Sequence, residues 1–163
     1  MMQTASIADN ISDVLTKIIY FTQLRRQVLH DNLHKADNPG FTPQDMPVRE
    51  LAEALNVAVA EHLQNRRLLF RDTPHIQFGP NNTMHVRPIL DPHAHVLLHT
   101  DRDGYTELQI RKLLENCLNR KVAEELLRQK GGTYTAPADW DFGKLAAGHG
   151  PLQDLPADRD ATD

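Results

Sequence analysis

A single cysteine, Cys117, rules out an internal disulfide. Its neighbours Leu113, Leu114 and Leu118 make it read as a small apolar residue on a helix rather than a reactive thiol. A basic surplus is also missing. The 18 Lys and Arg against 22 Asp and Glu leave a formal net charge of -4, with no electrostatic footprint for nucleic acid or an anionic membrane surface. No run approaches the ~18 apolar residues of a membrane-spanning helix. The start, "MMQTASIADN", lacks the basic stretch and apolar core of a cleavable signal. The chain therefore reads as soluble, which leaves open export by a machine that recognises an uncleaved N-terminus.

The motifs of common chemistries are missing as well. There is no GxSxG elbow to expose a nucleophile and no glycine-rich loop opening a helix to hold phosphate. Nine histidines raise a metal reading, in which His93 and His95 would share one face of a strand with His85 and His99 close in sequence. No CxxC, HExxH or paired carboxylate supports it, and a polar loop surface is the plainer reading. His30 and His34, four apart, read as a solvated helix face. The sequence thus points away from an enzyme and names no catalytic residue, metal ligand or cofactor.

What is present is apolar periodicity. Ile7, Ile11, Val14, Ile18, Phe21 and Val28 alternate steps of four and three, a coiled-coil spacing broken only where Arg25 takes the seam. Ser6 with Asp9 opens this run and Pro39-Gly40 stops it, so a helix on the order of 45 Å is expected. Leu15, Leu24 and Leu29 widen its apolar face, while Lys17→Asp, one position off the seam, should be better tolerated than Ile18→Asp in it. After the loop "FTPQDMP", Val48, Leu51, Ala52, Leu55 and Val59 predict a shorter helix. The stretch from Arg71 to Gly104 is rich in Pro, Gly, Asn and Asp and predicts loops with at most a small β-hairpin. Thr106 and Gln109 suit a capping box for a last helix. That helix carries Ile110, Leu113, Leu114, Cys117, Leu118, Val122 and Leu126 up to Gly131-Gly132.

The expected fold is therefore mainly α, with helices over about residues 6–35, 48–66 and 106–130 in a domain of residues 1–132. Residues 133–163 read as a disordered or loosely docked tail, in which Trp140 and Phe142 are the residues able to dock.

The stretch "LRRQVLHDNLHKADNPGF" resembles the N-terminal signature of the flagellar rod, hook and axial protein family. The likeness rests on Arg26, Val28, Leu29, Asn32, Ala36, Asp37, Pro39, Gly40 and Phe41, with Leu33 in place of Ile. His34, Lys35 and Asn38 depart from the pattern. "FRDTPHIQ" and "TDRDGYTELQIRKLLENCLNRKVAEELL", with Asn116 near its middle, are similar to later landmarks of the family and follow in the same order. The likeness spans residues 11 to 128.

The resemblance implies that the N- and C-terminal helices pair as a coiled-coil layer and pack with other subunits in the proximal rod of the flagellar basal body. Its implied partners are further copies, the rod proteins FlgC and FliE, and the flagellar type III export apparatus. It further implies no catalytic site and no cofactor. The residues expected to bury on assembly are Ile11, Val14, Ile18, Phe21, Val28, Ile110, Leu114 and Cys117. In the turn, Asn38-Pro39 leaves the helical region, Gly40 takes a positive φ and Phe41 folds back. Asn32 is placed to bond backbone groups freed there. The competing reading is a free-standing helical adaptor or export chaperone that binds a partner in a groove.

Overall fold

Between Met2 and His34 the sequence has neither Gly nor Pro, and it forms one unbroken helix, α1 (Met2–His34), roughly 50 Å long. The computed structural model describes residues 2–80, 82–132 and 134, with side chains from Ile11 onward. After a turn over residues 35–41 come β1 (Gln44–Asp45), α2 (Val48–Asn65), β2 (Ile76–Phe78), β3 (Met84–Val86), β4 (Ile89–Leu90), α3 (Pro92–Thr100) and α4 (Arg102–Gln129). The described residues are thus mainly helical. β1 pairs antiparallel with β4, and β2 with β3 in a short hairpin whose register sets Ile76 opposite Val86 and Phe78 opposite Met84.

α1 is the axis of the molecule. α4 lies antiparallel along it, so that Asn32 meets Gln109, Thr22 meets Asn116, and Leu15 and Ile19 meet Ala123 and Leu127. α2 and the β2–β3 hairpin cover another side, where Tyr20, Phe21 and Leu24 pack with Met46, Leu51, Ile76, Met84 and Val86. The middle segment was expected to be loop-rich. It nevertheless places three apolar strand residues in the main core, because α1 supplies the surface they need. Glu50 of α2 ties the hairpin down, accepting from the His75 backbone N at 3.0 Å and contacting its Nδ1 at 2.7 Å. The face of α1 that buries most fully (Ile19, Leu24, Leu29) is therefore displaced by about one residue from the seam read in the sequence.

Three local readings differ from the sequence expectation. "DPHAHVLLHT" forms α3 rather than loop, since Asp91 caps it by accepting from Ala94 N and Pro92 sits where no backbone donor is needed. α4 starts at Arg102, capped by Asp101 accepting from Gly104 N, so Thr106 and Gln109 are not its capping box. Lys17 is not a surface residue: it is 4% exposed, with its ammonium 4.5 Å from the centre of the Phe70 ring and in contact with the Asn82 side-chain oxygen. Burial holds its pKa below the usual lysine value, with Asp13 pulling the other way. Lys17→Asp should consequently lower the melting midpoint, through a loss of about 2 kcal/mol or more, instead of being tolerated. Thermal unfolding followed by circular dichroism checks this, and an unchanged midpoint would contradict the placement.

α4 ends as the double glycine suggests. Gly131 takes a φ of +77°, its N–H donates to Arg128 O, and Gly132 N–H donates to Leu127 O at 3.0 Å. Tyr134 then packs against both apolar clusters of α1 and donates its hydroxyl to Gln23 Oε1 at 3.0 Å. Trp140 and Phe142 lie outside the described residues.

Candidate assembly surface

α4 is built inside out. The residues it buries are Tyr105, Gln109, Asn116, Ala123 and Leu127, a heptad-like stripe that is polar through its middle. Ile110, Leu114, Leu118, Val122 and Leu126 follow one another every fourth position and remain between 43% and 64% exposed. Five apolar side chains thus form an exposed ridge over about 24 Å of helix, which winds from the outer side of α4 at Ile110 and Leu114 to the edge of the face turned to α2 at Val122 and Leu126. An amphipathic helix in a self-sufficient fold turns such a stripe to the core. Contiguous exposed apolar surface of this kind marks a site of association.

The polar inner stripe explains how α4 stays on α1 without its apolar face. Asn32, 1% exposed, acts as a clasp: its Oδ1 accepts from Gln44 N at 3.1 Å, while its Nδ2 donates to Gln44 O at 2.7 Å and to Gln109 Oε1 at 2.9 Å. Tyr105 donates to the Asn32 backbone carbonyl at 2.6 Å, and Asn116 Nδ2 donates to Thr22 O at 2.7 Å.

Between these bonds lies a buried charge cluster. Arg25 Nε meets Asp45 Oδ1 at 2.9 Å, and Lys112 Nζ bridges Asp45 Oδ2 at 2.8 Å and Asp91 Oδ2 at 2.6 Å. Burial would raise the Asp45 pKa, but the bonds from Arg25 and Lys112 prevail and hold it below the usual carboxylate value. Burial likewise works against the Lys112 ammonium, yet its two carboxylates leave its pKa above the usual lysine value. One cluster thus fastens α1, α4, β1 and the N-cap of α3. Of its four members the sequence signalled only Arg25, as the break in the apolar seam.

The turn from α1 into β1 has Gly40 at φ +74°, and a Cβ there would meet no atom within 4 Å. Pro39 and Gly40 are exposed; Phe41 folds inward, and with Ala36 it packs against Ala94, Leu98 and Tyr105. Asp37 pairs with Arg102 at the start of α4. Gly40→Val should therefore cost about 1–2 kcal/mol through backbone strain alone, since space is not limiting. Denaturant unfolding of that variant beside Gly40→Asn, which tolerates the conformation better, separates strain from lost packing. Equal losses would remove strain as the cause.

The residues expected to bury on assembly fall into separate groups. Ile110 and Leu114 stand on the outward ridge, and Ile11 is also exposed. Val14, Ile18 and Val28 are half-buried. Phe21 departs from the expectation, because it already lies in the intrachain core against α2 and the hairpin. Cys117 is half-buried on the flank of α4. Leu118, Val122 and Leu126 complete the ridge; they were legible as part of the apolar face of α4, but not as exposed.

A groove of about 340 Å³ runs between α1, α2 and α4, with Ile18, Leu51, Leu55, Val122 and Leu126 in its walls. His93 and His95 lie on a helix, two residues apart and so on different faces, rather than on a strand. Among the described residues no group of three or more His, Cys, Asp or Glu could hold a metal ion, and no helix is long and apolar enough to cross a membrane. No protein-family model, curated protein or solved structure matches the chain.

Proposed function

We propose that the chain is a structural subunit of the bacterial flagellar basal body, of the proximal-rod kind that FlgB represents. In this reading it joins neighbouring subunits through the outer face of α4 and the exposed start of α1. The observation that supports it is the exposed ridge from Ile110 to Leu126 on a helix whose inner face is polar. Such a helix is half of a helix–helix contact whose other half belongs to a different chain. The turn at residues 36–41 and the clasp at Asn32 add to this, since the residues that carry the family resemblance also set how the chain leaves α1. The partners are other copies, FlgC and FliE, delivered to the periplasm through the flagellar type III export apparatus without signal cleavage. The role requires no catalysis and no cofactor.

The test is fractionation of basal bodies from the organism that encodes the chain, together with deletion of its gene. Recovery of the chain in purified basal bodies, with loss of swimming on deletion, is the expected result. A chain found only in soluble complexes, with swimming intact, would overturn the reading. It would favour instead an adaptor that takes a partner helix in the groove between α1, α2 and α4, the observation behind that second reading.

A further inference from the structure

The turn of the β2–β3 hairpin is laid against α1 around a buried amine. Lys17 is 4% exposed, with its Nζ 4.5 Å from the centre of the Phe70 ring, and Phe70 stacks on Phe78 with ring centres 5.1 Å apart. The same Nζ is in contact with the side-chain carbonyl oxygen of Asn82, 65 residues further along the chain. Asn82 lies in the hairpin turn at φ +60°. That turn is fixed by the Gly79 N–H donating to Thr83 O at 3.0 Å and by Thr83 Oγ1 donating to Pro80 O at 2.7 Å. Asp13, one helical turn before Lys17, lines the same cavity of about 300 Å³.

These are the requirements of an amide exchange. An amine attacks only in its neutral form, which burial favours; here burial lowers the Lys17 pKa against the opposing pull of Asp13. A carboxamide is a poor acyl donor in free solution. Held against one amine by folded elements, it gains an effective concentration on the order of 10⁵ M or more. A carboxylate in the same cavity supplies a proton acceptor, and the cavity gives a small leaving group its way out.

We propose that the folded chain joins Lys17 to Asn82 by an isopeptide bond that it forms by itself. Lys17 Nζ bonds to Asn82 Cγ, and the bond from Cγ to Nδ2 breaks. Asp13 takes one proton from Nζ and passes it to Nδ2, which leaves as ammonia. Nothing is oxidised or reduced and no co-reactant is needed. The amide replaces a buried charge with a neutral group and ties α1 to the hairpin turn, closing a covalent ring around the rest of α1, β1, α2 and β2. This does not rest on the assembly reading, because none of these residues lies on the ridge of α4.

Mass spectrometry of the folded full-length chain tests it. The wild type should be lighter than its sequence requires by about 17 Da, the mass of ammonia. A tryptic digest should contain the peptide holding Lys17 joined to the peptide holding Asn82. Lys17→Arg and Asn82→Gly, the second of which suits a positive φ, should each keep the full sequence mass and a helical circular dichroism spectrum. Asp13→Asn should fold and link more slowly by about a hundredfold. A folded wild type that still has its full sequence mass after days at neutral pH would overturn the proposal. So would the same mass loss in Lys17→Arg, since it would mark an asparagine closing onto its own backbone. Linking of Asp13→Asn at the wild-type rate would overturn the part given to that carboxylate.

Discussion

Asp45→Ala is expected to destabilise the chain by roughly 3–5 kcal/mol, more than the loss of any other side chain in the buried charge cluster. The carboxylate is the shared partner of Arg25, which is 5% exposed, and of Lys112. Removing it leaves Arg25 with only the exposed Glu115, at 3.5 Å, and Lys112 with only Asp91. The pH dependence has a definite sign. The folded pKa of Asp45 lies below its unfolded value near ~3.9, so its contribution is complete above that value and is lost as pH falls through the folded one. Lys112 is shifted upward, so its contribution is complete below ~10.4 and is lost only as pH rises through its folded value. Urea unfolding should therefore show a wide plateau at neutral pH. The gap between wild type and Asp45→Ala should narrow below pH ~4. A gap that stays constant into acid would show that the carboxylate's charge is not what matters.

The second large effect is on association. Leu114→Asp with Leu118→Asp places two charges on the outward ridge, where both side chains face solvent in the single chain. Stability of the subunit should change by no more than about 1 kcal/mol, mostly through helix propensity. Contact with a neighbour, by contrast, would bury those charges unpaired and should fail. Sedimentation velocity of the purified wild type should show larger species as concentration rises, and the double variant should remain monomeric. A variant that associates like wild type would remove the ridge from the assembly surface.

The elements of the fold were legible where their signals were local. Apolar periodicity and the Pro39-Gly40 and Gly131-Gly132 stops located α1, α2 and α4 to within a few residues. α3 was hidden by a composition of Pro, His and Asp, although Asp91 before Pro92 is a helix-start signal in its own right. The orientation of α4 was legible only in part, since Ile110 and Leu114 were expected to bury against other chains while Leu118, Val122 and Leu126 were read only as its apolar face, and the reason is physical. Periodicity shows that a helix has an apolar face, and the usual inference turns that face inward. Here the inward face is carried by Asn, Gln, Tyr and Lys side chains whose partners on α1 and β1 are distant in sequence. Arg25 was the available clue: a charge in an apolar seam requires a partner, and its partner lies twenty residues on. Lys17 gave no such clue, because the Phe70 ring that covers it comes from a distant loop. A helix that departs from the expected pattern through its middle is where a function is expected to reside.

The most direct measurement is the accessibility of the ridge in the assembled state. With Cys117→Ala removing the native thiol, Leu118→Cys puts one reporter at the centre of the ridge. Maleimide labelling of the purified subunit should be fast, as the exposure of Leu118 requires. Labelling of intact basal bodies containing the same variant should be strongly suppressed, and should recover when the particles are dissociated. Equal labelling of free and assembled chains would show that the ridge stays in solvent, and would contradict assembly through α4.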